Sequence, residues 1–413
     1  MSTNVRWVGR ESSDAIIDTR LKCYAGSMHD RARYRTFLET DVRTHDGDVL
    51  LLEQAGQIVG TMTSLSFTLH AQSASFPCQG VAWVGTIKTA RRKRAPGQRG
   101  IASQVMLAGL DRARERGEVV SALMPFRASF YEHFGYGVVE RRNRWTIPIS
   151  LIPAFDSPGL RFFDPDDLPA LAEARTREAR QGQCDIDTGL DGLKYWSTQC
   201  DDGMVFVDTN PAGTPIGYLW MKDETRDNQR IANVLRFSAP DHAGFCRLFG
   251  ALAGLRDQYT AARISLPVDW PIHHLLGESQ LPHRPVDHPT AHLEQYTRMQ
   301  IRILDPIRFV EALRPAPTIP APGSPARAVV SIRESEGHET RLSLDFDGTR
   351  FTAKPTNASP DLTMTDVTFA CIASGDLSPT FAHRIGKLDG VPDKLPVLAP
   401  LAGSRAPWCH DYF

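Results

Sequence analysis

The run Arg91-Arg92-Lys93-Arg94-Ala95-Pro96-Gly97-Gln98-Arg99-Gly100 decides how this sequence folds, because of what stands on either side of it. Before it, Gly80 to Thr89 is an apolar, β-branched stretch that reads as a buried strand. After it, Ile101 to Arg116 has helical spacing. Ile101, Val105, Ala108 and Arg112 lie near one face, with Met106 and Leu110 beside them, and Gly117 supplies a stop. A helix N-terminus leaves backbone N–H groups unpaired and carries partial positive charge, so it holds phosphate well. Gly97 and Gly100 let the backbone approach closely, while Arg92, Lys93, Arg94 and Arg99 add charge. By itself the charge run reads as a solvated basic loop or a nucleic-acid patch. Its position between a buried strand and an amphipathic helix turns the reading to phosphate.

Working outward, residues 14–23 and 31–40 read as helices. Val49 to Leu52 and Ile58 to Met62 read as a hairpin across Ala55-Gly56-Gln57. Val119 to Met124 is a further strand and Ser129 to Phe134 a short helix ending at Gly135. The first 150 residues therefore predict a strand–loop–helix α/β module. A similar order recurs without the basic loop: a helix over 164–180, a hairpin joined by Asn210-Pro211-Ala212-Gly213, a strand over 231–237, a helix over 242–257 and a strand over 262–266. This predicts a degenerate second copy. Met299 to Leu304 reads as the first strand of a third unit, which holds a hairpin across Asp347-Gly348, a strand over 362–367 and a helix over 368–374. The Pro-rich stretch 315–323 reads as an internal loop or a linker, with the loop favoured. The last residues, Pro407-Trp408-Cys409-His410-Asp411-Tyr412-Phe413, are too aromatic for a solvated tail and are expected to dock.

A length of 413 residues predicts two or three domains. With 41% hydrophobic and 23% charged residues, the chain is an ordinary soluble globular protein by composition. The net charge of −1 gives no general case for nucleic acid or an anionic membrane. Met1 to Arg10 lacks an apolar h-region, so no signal peptide is expected, and no run of about 18 apolar residues predicts a membrane span. The seven cysteines form no CxxC pair and are expected to be reduced thiols, which points to a cytoplasmic protein. The His273–His274 pair has no Cys or His company of metal-ligand spacing, so no metal is expected.

Two further features carry chemistry. Phe130-Tyr131-Glu132-His133-Phe134-Gly135-Tyr136-Gly137 is a dense aromatic run, which reads as core packing or as the setting of a reactive Tyr131. The α-carboxylate of Phe413 is a free acid that could serve as a base if held near a reaction centre.

Together these features resemble a known family. Val81 to Gly137 looks like a GNAT acetyltransferase core, and the whole chain is similar to the Eis (enhanced intracellular survival) family. The most specific matches are Phe130-Tyr131-x-x-Phe134-Gly135-Tyr136-Gly137 and Trp408-Cys409-x-Asp411-x-Phe413. The resemblance implies an α+β / α/β chain of two GNAT-like mixed-sheet regions followed by a sterol-carrier-protein-like domain, divided as residues 1–150, 151–298 and 299–413. It implies an acetyl-CoA-dependent N-acetyltransferase acting on a primary amine of aminoglycoside, lysine or polyamine type, assembled as a homohexamer. Gly85, Thr86 and Ile87 would pair with the pantetheine arm. Gln98, Arg99, Gly100, Ile101, Ala102 and Ser103 would cradle the pyrophosphate, with Phe126 and Arg127 beside the cofactor. Tyr131 would be the general acid and the Phe413 carboxylate the base. The family's phosphate signature, Arg/Gln-x-x-Gly-x-Gly/Ala, fits no register fully. Gly97-x-x-Gly100-x-Ala102 is preferred over Arg94-x-x-Gly97, because Gly100 then opens the helix. A cationic acceptor would suit acids such as Asp30, Glu39 and Asp41. A silent CoA-binding protein and a lipid carrier are the competing readings.

Overall fold

The first sheet has an interior strand at Val49, Leu50, Leu51 and Leu52, which are all fully buried, so both faces of that strand are covered. The computed structural model describes residues 3–91, 99–199, 203–226, 228–316 and 327–413. In the first part of the chain the strands are β1 (Thr3–Val8), β2 (Val49–Gln54), β3 (Gln57–Ala71), β4 (Ala74–Thr86), β5 (Val120–Leu123) and β6 (Gly137–Val138). The helices are α1 (Ser13–Tyr24), α2 (Arg31–Thr40), α3 (Ile101–Glu115) and α4 (Ala128–Glu132). The expected helix after the basic run is α3, and the expected short helix after β5 is α4.

The second part contains β7 (Arg141–Pro148), β8 (Leu160–Phe162), α5 (Leu168–Ala179), β9 (Gln183–Asp187), α6 (Gly189–Gln199), β10 (Met204–Thr209) and β11 (Pro215–Arg226). It continues through β12 (Gln229–Ser238), α7 (His242–Ala251), β13 (Ala261–Pro267) and β14 (His292–Thr297). The third adds β15 (Gln300–Ile303), α8 (Pro306–Ala312), β16 (Arg327–Arg333), β17 (Glu339–Phe346), β18 (Phe351–Pro355), β19 (Leu362–Thr365), α9 (Asp366–Ser374), α10 (Pro379–Arg384) and β20 (Leu388–Gly390).

Three mixed sheets result, in the orders β1-β2-β3-β4-β5-β15-β6, β14-β7-β13-β12-β11-β10-β8 and β18-β17-β16-β19-β20, with β9 also pairing to β3. The strand over 300–303 is a correction to the sequence reading: it inserts between β5 and β6 of the first sheet and does not open the third unit. All four of its residues are buried, and that is what an interior strand with covered faces requires. The sheets also trade strands across positions 150 and 298. The strand β7 builds the second sheet, while β9 and β15 build the first. The Asp347-Gly348 hairpin forms as expected between β17 and β18. The Pro-rich residues 317–323 lie outside the described residues. No described helix is long and apolar enough to cross a membrane.

The tail docks. Its backbone threads between the first two sheets, and nearly every residue is anchored. Trp408 N donates to Gln183 O (2.9 Å), Cys409 N to Glu140 Oε1 (2.9 Å) and His410 N to Asp185 Oδ1 (3.0 Å). Asp411 accepts from Thr188 Oγ1 (2.8 Å) and pairs with Arg236 (2.7 Å). Trp196 Nε1 donates to Tyr412 O (3.1 Å).

Candidate active site

Strands β4 and β5 run parallel and pair only from Cys78↔Val120 to Val81↔Leu123. Beyond that point β5 ends, while β4 continues to Thr86 paired on its other edge with β3. The two strands therefore part and leave a V-shaped opening. A register shift between Thr61 and Thr63 places Trp83 and Val84 opposite Met62 alone, a β-bulge just past the parting. Trp83 sits there at φ +54°, a left-handed conformation that a bulky residue rarely adopts.

The alternation of side chains sorts the surroundings of the opening into two faces. Val81 and Leu123 share one cluster with Ile101 and Val105 of α3 and with Tyr131 and Phe134. Cys78 and Ala122 point the other way, into the cluster that holds Phe413. A Cβ on Gly80 would meet the rings of Phe67 and Phe413, and one on Gly85 would meet Cys23 and Tyr24 of α1. So α3 and α4 cover one face of the opening, and α1 and the C-terminus cover the other.

On the α3 face, Gly100 stands before the helix at φ −66°, ψ 161°, and as a glycine brings no capping side chain of its own. Its carbonyl already accepts from Gln104 N (2.9 Å), while the helix geometry leaves the amides of Ile101, Ala102 and Ser103 without intrahelical partners. A cavity of about 360 Å³ adjoins this end, lined by Arg99, Ser103, Leu107, Phe130, His133 and Phe134, with Ser335 and Glu336 from the third unit as a wall. A helix start beside such a cavity suits a phosphate-bearing ligand. Gln98 lies outside the described residues. Phe126 is strongly exposed and packs edge-on to Tyr131, and Arg127 precedes α4. At the end of β4, the amide of the next residue, Ile87, donates to Val59 O (3.0 Å) and the Thr86 carbonyl accepts from Arg91 Nε (3.1 Å), so those groups are engaged within the protein.

Tyr131 is buried among Phe126, Phe130 and Tyr136, and burial pushes its phenol up to about 12. Its neighbour Tyr136 is structural, bonded to Ser121 Oγ at 2.6 Å. The glycines of the aromatic run serve packing. A Cβ on Gly135, at φ +79°, would stand 2.2 Å from Asp366 Oδ2, and one on Gly137 would stand 2.6 Å from Val367 O. Both glycines let α9 of the third unit dock against the segment that carries Tyr131.

The other face is aromatic and cationic. Trp83 is ringed by Tyr24, Tyr34 and Phe37 at 5.7, 6.1 and 6.2 Å, with the Arg20 guanidinium 4.4 Å from its ring. Arg20 is buried and donates to Thr63 Oγ1 (2.9 Å). The proposed acids fare unequally. Asp41 is buried in a two-pronged pair with Arg43 (2.7 and 2.9 Å), which neutralises it. Glu39 is exposed and faces Arg35 at 3.7 Å, and Asp30 begins α2. Sequence reasoning missed Trp83, Tyr24 and Arg20, because only the tertiary fold brings α1 over the bulge.

Comparison with known proteins fits this geometry. Residues 4–139 match the acetyltransferase (GNAT) domain model, and residues 327–410 match the sterol carrier protein domain model. The chain is an acyltransferase. An uncharacterized N-acetyltransferase of Streptomyces avermitilis is 26% identical over 385 residues, covering 87% of this chain and 86% of that one. Two solved structures superpose over the full length of both chains: a GCN5-related N-acetyltransferase from Anabaena variabilis (TM-score 0.83, 16% identity) and Eis1 from Mycobacterium abscessus (0.79, 17%). At such identities they establish the fold: two GNAT-type mixed sheets and a sterol-carrier-type α+β unit. The GNAT domain implies acetyl-CoA as the acyltransferase's co-substrate.

Proposed function

We propose that this acyltransferase moves acetyl from acetyl-CoA to a primary amine, with Tyr131 as general acid and the Phe413 α-carboxylate as general base. The observation that carries the reading is the packing of Tyr131 and Phe413 on opposite faces of the strands that part after Val81 and Leu123. The co-substrate would lie on the α3 face, its pyrophosphate on the amides of Ile101 to Ser103 with Gln98, Arg99 and Gly100, its pantetheine arm beside Gly85, Thr86 and Ile87, and Phe126 and Arg127 alongside. The amine would arrive from the face of Trp83 and Phe413.

The Phe413 carboxylate accepts a proton from the amine nitrogen as that nitrogen attacks the thioester carbonyl carbon. The C–N bond forms, the C–S bond breaks, and the Tyr131 hydroxyl gives its proton to the leaving sulfur. Solvent returns a proton to the phenol, and the carboxylate releases the one it took. Burial lifts the Tyr131 phenol to about 12, so it holds its proton at neutral pH and gives it up only as the thiolate forms. The acceptor belongs to the aminoglycoside, lysine or polyamine class. The fuller reading is an Eis-like, cytoplasmic homohexamer whose chain divides near residues 150 and 298, with the strand over 300–303 returned to the first sheet.

The test is acetyl-CoA turnover over an amine panel for wild type and for a variant with one residue appended after Phe413. Loss of turnover in the extended protein with CoA binding retained supports the terminal base. Full activity there removes Phe413 from the chemistry. CoA binding without turnover on any amine favours a silent binding protein.

A further inference from the structure

The second sheet repeats the parting of strands, and what fills it is different. Strands β12 and β13 run parallel and pair only from Ile231↔Ala261 to Asn233↔Arg263. Beyond Asn233, β12 continues on β11, and a register shift leaves Leu235 as a bulged residue between Val234 and Arg236. Beyond Arg263, β13 continues on β7. The parallel pair, the parting and the bulge two residues later are the arrangement seen between β4 and β5. Here the opening holds a cavity of about 360 Å³, whose walls include Arg142, Arg144, Arg236, Arg263 and Arg298. Trp408 and His410 of the tail, Tyr296 and Ser265 line it as well, and no Asp or Glu among the described residues does.

The arginines have partners, but the partners stand outside the cavity and do not satisfy it. Arg142 pairs with Glu140 (2.8 Å), Arg263 with Glu224 (2.6 Å), Arg236 with Asp411 (2.7 Å) and Arg144 with the exposed Glu294 (3.4 Å). Arg298 makes no ion pair among the described residues and lies over the Tyr412 ring at 5.1 Å. The Arg236 side chain is only 6% exposed, and its Nη2 has no hydrogen-bond partner among the described residues. A buried guanidinium nitrogen left unpaired costs free energy that an anion would recover. The field is felt by Tyr296. Burial would raise its phenol, yet the Ser265 hydroxyl and the guanidiniums of Arg142, Arg298 and Arg144 bring it below its ordinary value.

We infer that this second opening is a binding site for a phosphate-bearing ligand, held by Arg236 and Arg298 with Arg142, Arg144 and Arg263 around it. Guanidinium forks recognise phosphate and carboxylate oxygens alike. The donors here come from three strands and from the segment before β15, so they converge from several directions. A tetrahedral phosphate can accept from all of them, whereas a planar carboxylate engages one fork. The size lies within the range of about 300–1,000 Å³ usual for small-ligand pockets. Trp408 and His410 form part of the wall, so the occupant also braces the tail that ends at Phe413.

Pyrophosphate is the probe, titrated calorimetrically into the full-length protein already saturated with CoA, so that the start of α3 is occupied. Wild type, Arg298→Gln and, as a control, Arg405→Gln are compared, with citrate as a second anion. Arg298 is chosen because it makes no ion pair among the described residues that its loss would break. The expected result is one pyrophosphate per chain, weakened at least tenfold by Arg298→Gln, unchanged by Arg405→Gln, and weakening as salt rises. CoA affinity should be the same in all three proteins. Absence of pyrophosphate binding in the CoA-saturated wild type would overturn the inference. So would equal affinity in wild type and Arg298→Gln, or citrate binding tighter than pyrophosphate.

Discussion

Gly80 lies directly under the terminal residue: a Cβ there would stand 3.1 Å from Cδ2 of Phe413 and 2.4 Å from Cε2 of Phe67. The strand at the parting is thus shaped to receive the chain's last ring. Gly80→Ala must displace one of the two rings, which themselves pack tilted against each other at 5.2 Å. We expect a stability loss of about 1–3 kcal/mol from overpacking and a larger fall in kcat than in acetyl-CoA affinity. Thermal unfolding and steady-state kinetics measure the two. A full-speed variant would mean that the position of Phe413 is immaterial.

Tyr131→Phe should lower kcat by roughly 10²–10⁴, the usual worth of a positioned acid, with CoA binding retained. The pH dependence has a definite sign. Burial raises the folded-state phenol from 10.0 to about 12. The neutral form is therefore the one the fold favours, and that contribution is complete below pH 10 and is lost as pH rises through about 12. Alkaline unfolding of wild type should begin in that window and be delayed in Tyr131→Phe.

Asp411→Asn should loosen the whole tail. Burial would raise this carboxyl, but Arg175 and Arg236 hold it below its ordinary range. Removing the charge leaves the buried Arg236 guanidinium without the carboxylate it pairs with, at a cost of about 3–5 kcal/mol, while Arg175 keeps Asp185. Hydrogen exchange at residues 408–413 should accelerate together with the loss of turnover. A rigid tail in this variant would contradict the anchoring described above.

Gly135→Ala meets both a left-handed backbone and Asp366 Oδ2 at 2.2 Å. Asp366 in turn accepts from Ser335 N (2.8 Å) and Ser335 Oγ (2.9 Å), so the disturbance passes into the third unit. Strain of this kind costs about 1–3 kcal/mol. Limited proteolysis should then cut between the first and third units sooner than in wild type.

Glu118 supplies a stability switch remote from the chemistry. Burial is the main cause lifting its carboxyl from 4.5 to about 7, against the lowering effect of Arg116. With a raised folded-state value, the stabilisation is present below about 4.5 and is lost as pH rises through 7. Glu118→Gln keeps the neutral shape at every pH, so its melting temperature should exceed that of wild type increasingly from pH 5 to about 8. A constant difference across that range would show that Glu118 does not titrate there.

The sequence by itself determined the local pieces. The run from Gly80 to Ile101 announced strand, loop and helix, because a buried strand and an amphipathic helix each leave their own periodicity and a helix start exposes its amides wherever it lies. Trp408 to Phe413 announced docking, because apolar rings avoid water whatever they pack against. Tertiary structure alone decided partnership. The strand over 300–303 joined the first sheet because an open edge accepts any strand that completes its ladder, and separation along the chain leaves no mark on composition. Arg20, Tyr24 and Trp83 came together only when α1 crossed the bulge, and the arginines of the second opening converged from β7, β12, β13 and the segment before β15. Periodicity records which face of an element is buried, and only the packed chain records what buries it.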